Sequence, residues 1–388
     1  MFSGRTAWDR RLNRIALRTA ALKAQGNQLI DLGETNPTQC SFDYPECELS
    51  DALSTAELRR YCPDPKGLKV AREALASRGF AGGGQVNPEQ IILCAGTSDA
   101  YSYLFKLLCN PGDNVLVPRP SYPLFEYLAD LESVNLRAYP LRFAGEWAID
   151  FAALKDAFDD RTRAVLAINP GNPTGSFLKL FEADALSKLC AKRGCALICD
   201  EVFSDYGFGE APDRVPTVVG RSTDALTFAL SGLSKKGGLP QLKIAWLYAS
   251  GPESLRLEAL ARLEIISDTY LSSSTILQSA LPQILDLADR MRPQIRDRVV
   301  ENRSLLLARR PASARWSVLP SEGGWSAILR LPDESDEDAV CLRLLDRGVI
   351  AQPGYFFDFP SGKFLVVSLL IPREAFSRGL EVLTRTLE

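Results

Sequence analysis

The segment Leu230-Ser231-Gly232-Leu233-Ser234-Lys235 runs off an apolar stretch and ends on a lysine, and a second basic residue, Lys243, stands eight positions further on. A lysine amine is a nucleophile toward carbonyl groups, and once released it can carry a proton. The chain contains no histidine. That excludes Ser-His-Asp and Cys-His machinery and every His-ligated metal site. Proton transfer near neutral pH then falls to a tuned Lys, Tyr, Cys or carboxylate, or to a cofactor. Three further clusters hold residue types suited to a site. Asp200-Glu201-Val202-Phe203 closes an apolar stretch, and Asn169-Pro170-Gly171-Asn172-Pro173-Thr174-Gly175 follows another. Gly96-Thr97-Ser98-Asp99-Ala100 precedes a helical pattern, where backbone amides, hydroxyls and the helix dipole suit an anion. Taken singly, each is also an ordinary feature: a strand reaching the surface, a Pro/Gly/Asn turn, a helix N-cap.

The elements that must position these clusters follow from the apolar pattern. Strands are expected at 91–94, 114–117, 164–168, 196–199, 226–230 and 244–248, with helices near 98–109, 121–132 and 180–193. Apolar strands alternating with helices imply an α/β fold with a mostly parallel sheet covered on both faces. Ligands in such sheets bind at the carboxyl ends of strands, which is where all four clusters fall. Before this region, residues 5–25 read as an amphipathic helix, 29–32 as a short strand and 66–79 as a helix. Gly79 and Gly82 to Gly84 precede a strand, so they read as a flexible turn rather than a dinucleotide loop. Beyond it, helices are expected at 252–265, 275–309, 336–347 and 373–387, with strands at 325–331 and 364–370. The expected division is a large domain over 47–283 and a smaller α+β domain formed by 284–388 and the N-terminal arm, 1–46.

Composition narrows the class. Of 388 residues, 46% are hydrophobic and 24% charged, and the net charge is only −3. No basic patch points to nucleic acid or an anionic membrane. No apolar run is long enough for a membrane span, and residues 1–11 lack the apolar core of a secretory signal. The nine cysteines form no CxxC pair and read as small buried hydrophobes in a reducing compartment. A cytoplasmic location without a metal centre is the expectation.

Taken together and in this order, the clusters resemble the class I/II aminotransferases of the pyridoxal-5′-phosphate (PLP) fold type I, over about residues 30 to 385. The resemblance implies a large domain with a mostly parallel sheet sandwiched by helices, a smaller α+β domain, and a homodimer. It implies that Lys235 holds PLP as a Schiff base and that Asp200 pairs with the pyridine nitrogen. Asn172 would face the phenolic oxygen and Tyr122 would stack on the ring. Gly96, Thr97, Ser98, Ser234 and Lys243 would bind the phosphate, helped by Tyr61 from the neighbouring copy. It also implies transamination between an amino donor and a keto acid, with Thr35, Asn36 and the position of Val366 on the substrate side. Gln352-Pro353-Gly354 is similar to the family's late P-G turn.

The sequence departs from that family at four places. Lys243 replaces an arginine and loses its planar fork. Phe203 replaces a tyrosine, so one hydrogen bond to the cofactor is missing. Gly232 stands where some members have a serine. Val366 stands where the family has the arginine that grips the substrate carboxylate. Arg330, Lys363, Arg373 and Lys236 are the substitute cations offered by the sequence. Glu34, Asp268 and Tyr270 are further neighbours of the substrate side, while Phe356, Phe357 and Phe359 are expected in the small-domain core. Alternatives with the same parts are a PLP-dependent lyase, oxidase, cyclase or racemase. A non-catalytic PLP-binding sensor is a different class, with no sequence dedicated to DNA.

Overall fold

The computed structural model describes residues 1–388 except Glu57, Leu58, Arg60, Cys62, Gly79, 81–85, Leu124 and Ser272. The expected glycine turn at 82–84 therefore lies outside the described residues. An eight-stranded sheet runs in the order Ile91–Cys94, Ala245–Ser250, Thr227–Gly232, Ala196–Asp200, Thr162–Ile168, Asn114–Arg119, Asn135–Phe143, Trp147–Ile149. The strands from Thr227–Gly232 to Asn135–Phe143 are mutually parallel. Ala245–Ser250 runs against both of its neighbours, and Trp147–Ile149 folds back along the far edge. Successive side chains enter opposite cores, as strand alternation requires. Leu93, Leu116, Val165, Leu197 and Trp246 pack on one face, and Ile92, Val117, Leu166, Ile198 and Leu247 on the other.

This topology gathers strand ends on one edge. The carboxyl ends of Ile91–Cys94, Thr162–Ile168, Ala196–Asp200 and Thr227–Gly232 share it. The reversed strand brings its amino end there as well, since Ala245 lies opposite both Cys94 and Gly232. Lys243 thus arrives between Gly96 and the segment that ends on Lys235.

A second sheet, antiparallel, is formed by Ser317–Val318, Ser326–Leu331, Lys363–Ser368 and Gln352–Pro353. Helices Arg14–Ala24, Glu337–Asp346 and Arg373–Leu387 share its core, and Ile30–Asp31 pairs in parallel with Val349–Ile350. Helix Leu281–Arg309 serves both bodies. Leu281, Ile284 and Ala288 enter the large-sheet core, while Ile295, Val299 and Leu306 enter the other.

Three expectations change. The helix expected at 5–25 spans only Arg14–Ala24, because the Asn13 side chain accepts from the Ala16 amide and starts it there. The helix expected at 121–132 begins at Phe125. Strands Asn135–Phe143 and Trp147–Ile149 and helix Phe151–Asp156 were not anticipated. The longer of these strands is mostly half-exposed and contains Arg137, Pro140 and Arg142, so it lacks the apolar run of a central strand, as edge strands often do.

The two bodies meet in a seam. At Gly175, with φ +65°, a Cβ would stand 2.3 Å from the Gly323 carbonyl oxygen, so only glycine fits. The Phe208 amide donates to the Glu322 carbonyl oxygen at 2.7 Å, and the Glu322 amide to the Gly175 carbonyl oxygen at 3.1 Å. The Glu322 carboxylate accepts from the Phe177 amide at 3.0 Å, Lys179 Nζ at 2.5 Å and Arg214 Nε at 2.8 Å. Removing one partner of a largely buried ion pair strands the other charge. Glu322→Gln should therefore lower the unfolding free energy by about 2–4 kcal/mol. A chemical-denaturation midpoint equal to that of the parent protein would show that the seam holds without this charge.

Candidate active site

On the shared strand edge lies a cavity of about 520 Å³ whose lining includes Thr35, Thr97, Ser98, Tyr122, Asn172, Asp200, Phe203, Ser234 and Lys235. This size is ordinary for a small-molecule site. Four segments far apart in sequence are thus brought to one place.

Lys235 sits in the short helix Leu233–Lys236 that follows strand Thr227–Gly232. Its carbonyl oxygen accepts from the Tyr206 hydroxyl at 2.6 Å. Its Nζ lies 5.0 Å from the Trp325 ring centre and 5.7 Å from that of Phe203. Burial lowers its pKa to about 8, against the smaller opposing pull of Asp200 and Glu34.

Asp200 is buried at the end of its strand. One carboxylate oxygen accepts from the Tyr101 hydroxyl at 2.8 Å and the other from the Val202 amide at 3.1 Å. Burial raises its pKa, and those two bonds and Lys235 draw it back down. Burial and the Asp200 charge push the Tyr101 hydroxyl well up, so it stays protonated and donates. Next to it, burial pushes Glu201 up to about 7 although it accepts from Thr217 and the Val218 amide.

Helix Thr97–Leu108 starts at Gly96 without a side-chain cap, which leaves its first-turn amides to the cavity side. A Cβ placed on Gly96 would stand 3.9 Å from Lys243 Nζ. Uncapped amides, two hydroxyls and an ammonium make a cradle for an anion.

Other expected residues lie elsewhere. Tyr61 is 72% exposed and is not part of this lining. Asn36 is turned to its own chain, where its side chain accepts from the Thr38 amide and hydroxyl. Val366 is buried in an apolar cluster with Trp147, Leu319, Ile328, Phe357 and Phe364. None of the four substitute cations lines the cavity. Lys236 is buried against Asp205 at 2.8 Å. Arg330 and Lys363 line a separate groove, and Arg373 opens the exposed start of the last helix. Tyr270, at the end of helix Glu253–Tyr270, which also holds Asp268, packs against Tyr103 and Lys106 of helix Thr97–Leu108. Phe356, Phe357 and Phe359 all pack in or against the apolar cluster around Val366, as expected, with Phe359 stacked on Phe364 at 4.2 Å; Phe356 and Phe357 line the cavity as well.

Sequence reasoning missed Tyr101 and Trp325. Tyr101 lies one helical turn after Thr97, on the helix face toward Asp200, where it reads like any core aromatic. Trp325 packs edge-on to Phe203 at 5.2 Å and Tyr206 at 5.0 Å, and its only signal is the Gly323-Gly324 pair before it.

The lowered lysine has a measurable sign. Its pKa near 8 lies below the ordinary lysine value of 10.5, so across that window the folded chain binds fewer protons than the unfolded one. Its stability contribution rises with pH there. In cofactor-free protein, the rate at which Lys235 combines with pyridoxal should climb about tenfold per pH unit below that pKa and level off above it. Asp200→Asn removes an anion that holds the proton and should move the midpoint down. An unchanged or higher midpoint in a stopped-flow pH series would contradict this electrostatic account.

The chain matches the family described as aminotransferase class I and II over residues 27–376. A probable aminotransferase of Arabidopsis thaliana is 29% identical over 273 residues, covering 68% of this chain and 65% of that protein. The S-alkyl-thiohydroximate lyase of the same plant is 31% identical over 271 residues, covering 68% of this chain and 58% of its own. These matches span less than two thirds of the length of either relative. The solved alanine aminotransferase of Pyrococcus furiosus superposes with a TM-score of 0.86 at 21% identity, over 100% of this chain and 99% of that one, which shows the shared fold. With the matched region reaching over nearly all of the sequence, the chain belongs to the class I and II aminotransferase family, whose members depend on PLP.

Proposed function

We propose that this chain is a PLP-dependent aminotransferase that moves an amino group from an amino donor to a keto acid, and that it works as a cytoplasmic homodimer. The observation that supports this most is the pairing of Asp200 with Lys235 in one cavity. Asp200 is a buried carboxylate whose hydrogen-bond partners are a hydroxyl and an amide, which is the setting for a protonated ring nitrogen. Lys235 is a buried amine with its pKa near 8, which is the setting for a nucleophile and proton carrier. The residues present thus fit PLP. When bound, PLP supplies an aldehyde that receives the amino group and a ring that withdraws electrons.

The remaining assignments concern this chain's own groups. Lys235 Nζ takes a proton from the donor carbon that bears the amine. Tyr101 fixes the Asp200 carboxylate. Asn172 faces the phenolic oxygen, Tyr122 covers one face of the ring, and Phe203 packs against Trp325 beside Lys235. Gly96, Thr97, Ser98, Ser234 and Lys243 hold the phosphate, with Tyr61 assigned to the neighbouring copy. Thr35 faces the substrate. The boundary between the large and small domains is placed inside helix Leu281–Arg309, near residue 283.

Exposed apolar residues support a dimer. Leu255, Leu257, Ile265 and Leu271, on or just after helix Glu253–Tyr270, are each more than half exposed, and burying exposed apolar side chains is favourable. Among the described residues no helix is long and apolar enough to cross a membrane. The lyase relative favours a second reading, elimination, in which the proton leaves the same donor carbon and a group is expelled from the carbon next to it. Detection of a keto acid together with the aminated cofactor would decide for transfer.

Two further results are expected. Borohydride reduction of the PLP-loaded protein should fix the cofactor to Lys235, seen by peptide mapping, and an adduct on Lys236 would overturn the assignment. Leu257→Asp with Ile265→Asp should shift the sedimentation profile from dimer toward monomer. A parent protein that sediments as a monomer would end the dimer proposal.

A further inference from the structure

Arg119 ends strand Asn114–Arg119, three residues before Tyr122. Its side chain is 12% exposed, yet its Nη1 is enclosed without a hydrogen-bond partner. Unpaired buried donors of this kind are uncommon and call for an explanation. The rest of the guanidinium is divided between two acids. Nη2 lies 3.2 Å from Glu126 and Nε 3.1 Å from Asp358. Both acids line the cavity. They are 61% and 45% exposed, respectively, so either can turn into water, while the arginine stays fixed.

We propose that Arg119 is the anchor for the substrate carboxylate and that Asp358 holds its place when no substrate is bound. This rests on the aminotransferase reading only for the identity of the substrate. The Nε–Nη2 edge of an arginine grips one carboxylate through two parallel bonds. Here two carboxylates share that edge with one contact each, which leaves the bidentate geometry unused. A substrate carboxylate that takes that edge displaces Asp358 from Nε and Glu126 from Nη2, and the two exposed acids turn into water as it enters. Half-exposed acids contribute little to such a pair, so the exchange costs little.

The segment Gly354–Phe357 and the following Asp358 is built to present this placeholder. The Ser121 amide donates to the Phe357 carbonyl oxygen at 2.9 Å. Buried Glu337 accepts from the Tyr355 amide at 3.0 Å and the Phe364 amide at 2.7 Å. Asp358 itself takes φ +53°, in the left-handed region. The same segment sets Tyr355, Phe356 and Phe357 around the cavity, which Arg119 does not itself line but meets through Glu126 and Asp358. An apolar body with a carboxylate is therefore the ligand that matches both features, and the anchor sits on the large sheet rather than on strand Lys363–Ser368, where Val366 is closed into an apolar cluster.

The test compares 3-phenylpropanoate with 3-phenylpropan-1-ol, which differ at the carboxylate, by calorimetric binding to the PLP-loaded full chain. The carboxylate should bind at least tenfold more tightly. Asp358→Asn, which removes the placeholder, should raise the affinity for the carboxylate about two- to fivefold and leave the alcohol unchanged. Arg119→Gln should abolish the preference, and Arg119→Lys should restore only part of it. A preference that survives in Arg119→Gln places the anchor elsewhere and overturns the proposal. So does a parent protein and an Asp358→Asn variant that bind both ligands equally, which would mean a donor without a carboxylate. The binding measurement needs no turnover. If the preference follows Arg119 while L-phenylalanine and other donors fail to produce the aminated cofactor, the anchor stands and the aminotransferase reading falls.

Discussion

A carboxylate buried without a permanent cation is the constraint around which the rest of this structure is arranged. Asp200 is at the end of a central strand, largely shielded from water, and is stabilised by one hydroxyl and one amide. Burying a charge this way is costly unless an opposite charge is supplied. Lys235 answers part of that cost, and is in turn drawn toward neutrality by its own burial. The two groups therefore adjust each other. A cationic ring nitrogen placed against Asp200 would settle the carboxylate in its ionised form and free the lysine from that duty. The pairing is produced by topology, since the strand that ends on Asp200 is adjacent and parallel to the strand Thr227–Gly232 that leads into the short helix holding Lys235.

How much of this was legible in the sequence depends on which features leave a local trace. The central strands are apolar on both faces, so their runs stand out, and strand ends mark Asp200, Asn169 and Ser231 directly. The edge ribbon 135–149 leaves no such trace because half-exposed strands accept Arg and Pro. Adjacent residues on short elements are the hardest to separate. Lys235 reaches the cavity and Lys236 the buried Asp205, although one position divides them. The same holds for Phe357 and Phe359 on either side of Asp358. Composition cannot say which way a side chain leaves a turn.

The site also depends on contacts that join segments hundreds of residues apart. Glu322 ties the loop after Asn172 to the loop after Phe203, and it does so one turn before Trp325 packs on Phe203. Arg119 meets Asp358 across the opposite side of the same cavity. Of the two, the largely buried Glu322 pairs hold the small sheet against the edge of the large one, while the half-exposed Arg119–Asp358 contact only spans the gap. Neither is visible from residue spacing, because an arginine and an aspartate 239 positions apart carry no mutual signal in a single sequence.

The absence of histidine from the chain finds its physical counterpart here. An enzyme working near neutral pH needs a group that exchanges protons there, and histidine is the side chain that does so without adjustment. This chain reaches the same range from two other directions. Burial lowers Lys235, which lines the cavity, to about 8, and raises Glu201, which lies outside that lining and is bonded to Thr217 and the Val218 amide, to about 7. Each is a residue whose ordinary titration lies far from neutrality, moved by loss of water rather than chosen for its type. The aromatic wall of Trp325 and Phe203 beside Lys235 is what excludes that water. A lysine tuned in this way has one property that histidine lacks, an aliphatic amine able to join a carbonyl carbon. In the role proposed for Lys235, the same desolvation would serve both proton transfer and the making of a nucleophilic amine.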